Sequence, residues 1–498
     1  MSFDPHLIAL WLMAAQGALG AFDTLFHHEG TEALPRTPQA ARELRIHALR
    51  ASLYAPLFIG LSAWAWHGAW AWVLLLVFAV EIGLTLWDFV VEDRTRLLPA
   101  TERVTHTVLA INAGAFIALL ALTAHGWAAQ PTALVWQPKG WLSAWLALCG
   151  AGVGLSALRD ALAARRLAQQ SAAPPPPIAF GTQPQHVLVT GGTGFVGRLL
   201  VRQLLAGGHA VTVLTRNPKA AAWQFDGAVR CVARLQDIPA LTPVQVVINL
   251  AGARILGWRW TPRRRAALLQ SRVGLTQRLV AWMAALPASQ RPWLLLSASA
   301  IGYYGVQPLG DAQGLDESAP PQPIFMSQLC QQWEAAATEA SALGVRVALL
   351  RLGFVLGQQG SLPLMLLPVH LGLGGPLGDG RQWLSWVHVH DVLRAMAHVW
   401  AQAESQRGQP PATAPQAWNL TAPEPLGQAD FTRAAAQVLR RPFWLPTPGA
   451  PMRALLGEQA DLLLQGQRVL PQRLLASGFV FTYPDARAAL LDLCRPAA

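Results

Sequence analysis

The stretch His186-Val-Leu-Val-Thr-Gly-Gly-Thr-Gly-Phe-Val-Gly197 reads as a buried strand, a glycine turn and the opening of a helix. His186 to Val189 are mostly apolar, and Arg198-Leu-Leu-Val-Arg-Gln-Leu-Leu205 carries an apolar stripe at helical spacing. Between them Gly191, Gly194 and Gly197 recur every third residue. Strand, turn and helix together make this glycine pattern a dinucleotide site. The glycines allow a tight turn and close backbone approach to a pyrophosphate, whose charge meets the free N–H groups of the helix start. Gly191, Thr193, Gly194, Phe195, Val196 and Gly197 are therefore the expected cofactor-binding residues.

The next strand, Val211-Thr-Val-Leu-Thr-Arg-Asn217, carries Arg216 where an NAD site usually has Asp or Glu for the ribose 2′-OH. A guanidinium suits a 2′-phosphate, so NADP is expected rather than NAD. Asn249-Leu-Ala-Gly252 follows another apolar run; small residues there let the backbone pass close to the cofactor, so Leu250, Ala251 and Gly252 are further expected cofactor-binding residues. Strands are expected at 186–190, 210–215, 229–233, 245–250, 293–298 and 345–351, and helices at 196–206, 261–285 and 326–343. That alternation predicts a doubly wound parallel sheet, an α/β Rossmann domain. From Gly353 onward the pattern is irregular and suggests a smaller lobe over the cofactor.

Four motifs together carry a resemblance: Thr190-Gly-Gly-Thr-Gly-Phe-Val-Gly197, Asn249-Leu-Ala-Gly252, Ser297-Ala-Ser-Ala-Ile-Gly-Tyr-Tyr-Gly305 and Trp386-Val-His-Val-His-Asp391. They resemble the extended short-chain dehydrogenase/reductase superfamily, within it an atypical epimerase-like branch of poorly assigned function. Leu214-Thr-Arg-Asn-Pro218, Arg259-Trp-Thr-Pro262, Gln270-Ser-Arg272 and Gly378-Asp-Gly-Arg-Gln382 extend the likeness, as does a helical region from Met452 to Leu493. The resemblance spans about 186–495 and implies dinucleotide-linked, epimerase-like oxidoreductase chemistry on a small molecule. The superfamily's Tyr-x-x-x-Lys pair is absent from the chain. Aligned on the family helix, Gln328 stands at the lysine and Ile324 at the tyrosine; aligned on Tyr304-Gly305, Ala300 takes the usual hydroxyl slot, with Ser299 one residue early. Gln328 carries no charge and cannot depress a phenol's pKa. Ser299, Tyr303 and Tyr304 are the remaining catalytic candidates, the two tyrosines having packing over the nicotinamide as their other role. Arg351 and Arg381 could hold an anionic substrate. His388 and His390 alternate along an expected strand and share its face, in a structural role.

Residues 1–170 are a different material. The 498-residue chain is 53% hydrophobic and 13% charged, with a mean hydropathy of +0.30. Five apolar segments, near 6–26, 51–67, 69–90, 104–124 and 141–158, approach the ~20 residues that span a bilayer. An all-α transmembrane bundle fused to the Rossmann domain is the expected architecture. Its divisions fall at 1–170, a Pro-rich linker 171–184, a nucleotide-binding domain 185–445 and a small helical region 446–498. Arg36, Arg42, Arg45, Arg50, Arg94, Arg96 and Arg103 crowd two alternate loops, and Arg159, Arg165 and Arg166 follow the fifth segment. The positive-inside rule then puts the N-terminus outside and the C-terminal domain in the cytoplasm, on the plasma (inner) membrane. Trp64, Trp66, Trp70, Trp72, Trp127, Trp136 and Trp141 fit an aromatic belt at the other face.

The net charge of +11 comes without a compact Lys/Arg block, so nucleic acid is not an expected partner. Four scattered cysteines support neither a disulfide framework nor a structural zinc site. Inside the apolar segments, Glu81, Asp88 and Glu92 share one helix face, and so do Gln16, Asp23 and His27, with His28 and Glu29 next. His47 opens the second segment, and Glu102 lies one turn before His106 in the fourth. Such groups could bind a metal, a quinone or haem, or form salt bridges with the arginines; no metal ligand is assigned among them. Glu81 lies deepest, away from arginines at the rim. Three functions stay open: a membrane-anchored NADP oxidoreductase, a non-catalytic NADP-binding sensor or scaffold, and a relay to a quinone or metal.

Overall fold

The computed structural model describes residues 4–31, 41–95, 100–170, 177–239, 243–257, 259–409 and 415–494. Linker residues 171–176, Arg36, Arg96 and the side chains of His28, Glu29, Arg94 and Arg166 lie outside that set. The chain divides into two compact units, residues 1–175 with 496–498, and residues 176–495.

The first unit is a five-helix bundle: α1 Pro5–Asp23, α2 Ala41–Ala63, α3 Ala69–Thr95, α4 Ala100–Ala128 and α5 Trp141–Gln170. Asp4 caps α1 by accepting from the His6 and Leu7 amides. All five helices are long and apolar enough to cross a membrane. Leu10, Met13, Phe58, Phe78, Phe116 and Leu146 form the inner core. Large apolar side chains also point outward, among them Trp72 (66% exposed), Leu76 (65%), Ile111 (69%) and Leu155 (70%).

The second helix differs from its expected bounds. It starts at Ala41 and stops at Ala63, and Trp64–His67 leaves it as strand β1. That strand pairs antiparallel with β2, Ala133–Trp136, aligning Trp64 with Trp136, whose rings meet edge-on at 4.7 Å. The alternation Trp-Ala-Trp-His has a period of two, which suits a strand and not a helix. The extra helical turns at 41–50 were hidden because Glu43, Arg45, His47 and Arg50 lower their hydropathy.

The second unit is organised on one parallel sheet. Its strands are β3 His186–Thr190, β4 Ala210–Leu214, β5 Arg230–Val232, β6 Val246–Asn249, β7 Leu294–Ala300, β8 Arg346–Leu352 and, after the short strands described below, Gln416–Leu420. The order across the sheet is Gln416–Leu420, β8, β7, β6, β3, β4, β5, all parallel. Strand order reverses beside β3, the switch point where such sheets bind ligands. Six strands fall where the sequence puts them; Gln416–Leu420 was not foreseen. Helices α6 Phe195–Ala206, α7 Pro218–Gln224, α8 Pro262–Leu269, α9 Leu275–Ala285 and α10 Phe325–Thr338 make the crossovers. Both faces of the sheet are covered, one centred on Val187, Val189, Ile248 and Leu296, the other on Leu188, Val247, Leu295 and Leu349. Strands buried on both faces read as continuous apolar runs, the signature of parallel sheets.

Beyond β8 come β9 Phe354–Leu356, α11 Leu362–His370, β10 Trp383–Leu384, β11 Trp386–His388 and α12 Val389–Ser405. His388 and His390 do not share a strand. His388 ends β11 and caps α12, accepting from the His390 amide at 3.1 Å, and His390 is already helical. The Asp391 carboxylate after them accepts from the Thr482 and Tyr483 amides, tying the C-terminal region to α12.

Candidate functional site

The glycine turn has the geometry a dinucleotide requires. Gly191 follows β3 with φ +69°, a conformation L side chains rarely adopt. Its amide-to-carbonyl turn closes when Gly194 N–H donates to Gly191 O at 3.0 Å. Gly197 is buried directly against that turn: a Cβ there would strike the Gly191 carbonyl and sit 2.9 Å from Gly192 Cα. Gly194 is the N-cap of α6 and supplies no side-chain cap. The first amides of α6 are thus left for an external acceptor. Thr193 and Gly194 are exposed at the mouth of the turn. Phe195 and Val196 are half-buried, Phe195 under Gly357 and Gly360. Arg198, one turn along α6, bonds to Gln359 of the same loop.

A buried network braces the turn from the sheet. Thr190 Oγ1 donates to Asn249 Oδ1 at 2.7 Å and accepts from the Ala251 amide at 3.2 Å. Asn249 Nδ2 donates to Thr276 Oγ1 (2.8 Å) and Ser297 Oγ (3.2 Å), and the Trp333 indole also donates to Thr276 (3.1 Å). Leu250, Ala251 and Gly252 therefore stand next to the glycine turn: a Cβ on Gly191 would lie 2.7 Å from Leu250 C and 2.8 Å from Ala251 N. Arg216 is exposed beyond the end of β4 and makes no hydrogen bond or ion pair to a described residue.

Arg272 has no counterpart among the expected site residues. It sits in a π-helical turn, Gln270–Gly274, between α8 and α9. Its guanidinium is buried, lies beneath Gly252 and donates to Ala253 O at 3.0 Å. Burial pulls its pKa down to about 10. No carboxylate among the described residues pairs with it. The sequence signal was its place in Gln270-Ser-Arg272, which spacing alone does not connect to Gly252.

The catalytic candidates fall into one second network. Ser299 Oγ donates to Glu334 Oε1 at 2.7 Å. Arg351 grips the same carboxylate with two bonds of 2.8 Å. A third guanidinium N–H donates to Tyr304 Oη at 2.9 Å, and Tyr304 donates to Asn419 Oδ1 at 2.6 Å. Burial pushes the Tyr304 pKa up to about 12. Burial alone would lower the Arg351 pKa, but the Glu334 carboxylate more than offsets this and raises it. Arg351 is therefore not an open anion site: its fork is filled by Glu334. Tyr303 stacks its ring on Arg351, 3.5 Å from the guanidinium carbon, and its hydroxyl makes no hydrogen bond to a described residue. It lines a cavity of about 540 Å³ on the α10 side of the sheet, with Glu317, Glu334, Arg351 and Arg473. Gln328 lies exposed in the first turn of α10, and Ile324 is that helix's N-cap. Arg381 is exposed in its glycine-rich turn, 3.6 Å from Asp379.

Sheet order, glycine turn and braced Asn249 loop define a Rossmann-type dinucleotide fold. The model of the NAD dependent epimerase/dehydratase family matches residues 187–419, and that of a domain of unknown function (DUF1731) matches 447–493. The chain is 37% identical over 317 residues to the chloroplastic epimerase family protein SDR39U1 homolog of Arabidopsis thaliana, covering 61% of this chain and 85% of that one. It is 36% identical over 319 residues to the epimerase family protein YfhF of Bacillus subtilis, covering 62% and 97%. The crystal structure of the human epimerase family protein SDR39U1 (isoform 2) with NADPH aligns at 32% identity and TM-score 0.53, covering 62% of this chain and 98% of that one. The chain belongs to the NAD-dependent epimerase/dehydratase family. Neither family model reaches the helical bundle.

Proposed function

We propose that the second unit binds NADPH and passes hydride between it and a small molecule, while the first unit anchors it to the plasma (inner) membrane from the cytoplasmic side. The observation that carries this reading is the uncapped glycine turn before α6, with Arg216 free at the end of the neighbouring strand. The turn offers backbone amides to the pyrophosphate, and Arg216 offers a fork to a 2′-phosphate. Binding of NADPH by the 32% identical human relative supports the cofactor choice. Arg216→Ala should cost NADPH roughly 1.5–3 kcal/mol, the scale of a charge-assisted hydrogen bond, and leave NADH unchanged. Equal losses for both cofactors in calorimetry would remove the 2′-phosphate assignment.

Of the three hydroxyls, Ser299 and Tyr304 are committed to Glu334, Arg351 and Asn419. Tyr303, with a free hydroxyl on a cavity of substrate size, is the group we assign to proton transfer. The committed hydroxyls and Gln328 in the lysine position favour a second reading, an NADPH-binding sensor without turnover. Tyr303→Phe separates the two: it lowers turnover about 10²–10⁴-fold in an enzyme and changes nothing in a sensor.

The outward apolar side chains of the bundle support the membrane reading, since so large an apolar surface is rare on a soluble monomer. Arginine on alternate loops supports an N-out, C-in arrangement. A reporter fused after Ala498 should be cytoplasmic and one inserted within 127–138 external; both on one side would contradict it.

A further inference from the structure

Four helices of the first unit each carry two metal-ligand side chains four residues apart: Asp23 and His27, Glu43 and His47, Asp88 and Glu92, Glu102 and His106. On a helix that spacing puts both groups on one face. In every pair the face is the interior one. The carboxylates are all at most 5% exposed, and His27 is 1% exposed. The His47 and His106 side chains are 10% and 12% exposed. Ionisable groups taken out of water cost several kcal/mol each unless something at the site compensates them.

Part of the cluster has an ion-pair explanation. Arg50 donates to Asp88 at 2.6 Å and reaches Glu81 at 3.3 Å, so deep Glu81 does meet an arginine. His47 joins these pairs as well, its Nε2 lying 3.2 Å from Asp88, but Glu43, His47 and Glu92 also converge. Each brings one ligand atom to a common point, all within 4.8 Å of one another. Donors around one ion at about 2.1 Å stand roughly 3–3.5 Å apart, so a small side-chain rotation closes the set. Glu92 is the pivot: one oxygen lies 3.8 Å from His47 Nε2 and the other 3.3 Å from His106 Nδ1. His106 Nε2 in turn lies 3.2 Å from Asp23, which also holds His27 Nδ1 at 2.9 Å. A chain of carboxylate and imidazole behind a ligating carboxylate is how proteins orient such ligands and tune the ion. Carboxylates and histidines from facing helices build metal centres in other helix bundles.

We propose that Glu43, His47 and Glu92 bind one divalent first-row transition-metal ion, Mn²⁺, Fe²⁺ or Zn²⁺, inside the bundle. Two carboxylates and an imidazole, without thiolate, match that class and disfavour Cu⁺. Three protein ligands leave open positions, as in catalytic rather than structural sites. His106 and Asp23 are positioning residues that act through Glu92. The inference stands apart from NADPH binding, which belongs to the other unit.

The test uses the full chain in detergent, stripped with EDTA and reloaded separately with Mn²⁺, anaerobic Fe²⁺ and Zn²⁺. Elemental analysis should find about one tightly held ion per chain for at least one of the three metals. The His47→Ala/Glu92→Gln variant should lose that ion while keeping its helical circular dichroism and its NADPH affinity. His106→Ala should weaken metal affinity about 10–100-fold, the usual effect of losing an orienting partner. In wild-type protein, bound Mn²⁺ should show nitrogen coupling from an imidazole in pulsed electron paramagnetic resonance, a readout that does not need a folded variant. Folded wild type that retains none of the three ions would overturn the site. So would a variant that retains the ion, or bound Mn²⁺ without nitrogen coupling.

Discussion

Gly197→Ala is expected to reduce NADPH affinity about 100-fold or more, and calorimetric titration of the purified full chain measures it. The added methyl would meet backbone, the Gly191 carbonyl and Gly192 Cα, rather than a side chain that could swing away. Either the turn moves or α6 shifts off the sheet. Overpacking of this kind costs ~1–3 kcal/mol, and a displaced turn also loses charge-assisted hydrogen bonds of ~1.5–3 kcal/mol each to the pyrophosphate. Each 1.4 kcal/mol is about tenfold in affinity, which gives the stated scale. The bundle should be unaffected, so expression and helical content serve as controls. Affinity within about threefold of wild type would mean that the pyrophosphate does not sit on this turn.

The second large effect is on stability. Arg351→Met should destabilise the second unit by about 3–5 kcal/mol, because it leaves the Glu334 carboxylate buried without its partner. The side chains of Arg351 and Glu334 are 5% and 9% exposed, so solvent screens little of this interaction. Tyr304 and the Glu317 carbonyl also lose a donor. For a unit of this size the melting temperature should fall roughly 5–15 °C, followed by tryptophan fluorescence of the full chain in detergent. Adding Glu334→Gln to Arg351→Met removes the stranded charge and should recover much of the loss. A double variant no more stable than the single one would show that the damage is lost packing and not an uncompensated charge.

These two effects also mark what could be read from the sequence. Gly197 was legible because a dinucleotide turn is local: strand, glycines and helix lie within one short stretch, and their spacing carries the geometry. The Glu334–Arg351 pair was not, because the partners sit on α10 and β8 and nothing in either neighbourhood names the other. The same holds for Arg272, which meets Gly252 only through the fold. Strand Gln416–Leu420 follows a Pro-rich stretch and gains its identity from pairing with β8, a contact made across the whole unit. In the bundle, hydropathy found five helices but clipped the second, since Glu43, His47 and Arg50 lie on a polar face that is buried at Glu43 and half-buried at His47 and Arg50. A hydropathy window assumes that polar residues seek water. It is misled where polar groups seek each other, or an ion.

The central claim is that the second unit is an NADPH site. Isothermal titration of the wild-type full chain with NADPH and, separately, with NADH tests it most directly. One NADPH should bind per chain, at least about tenfold more tightly than NADH, the equivalent of ~1.4 kcal/mol from the 2′-phosphate on Arg216. Binding of neither dinucleotide by folded protein, or tighter binding of NADH, would contradict it.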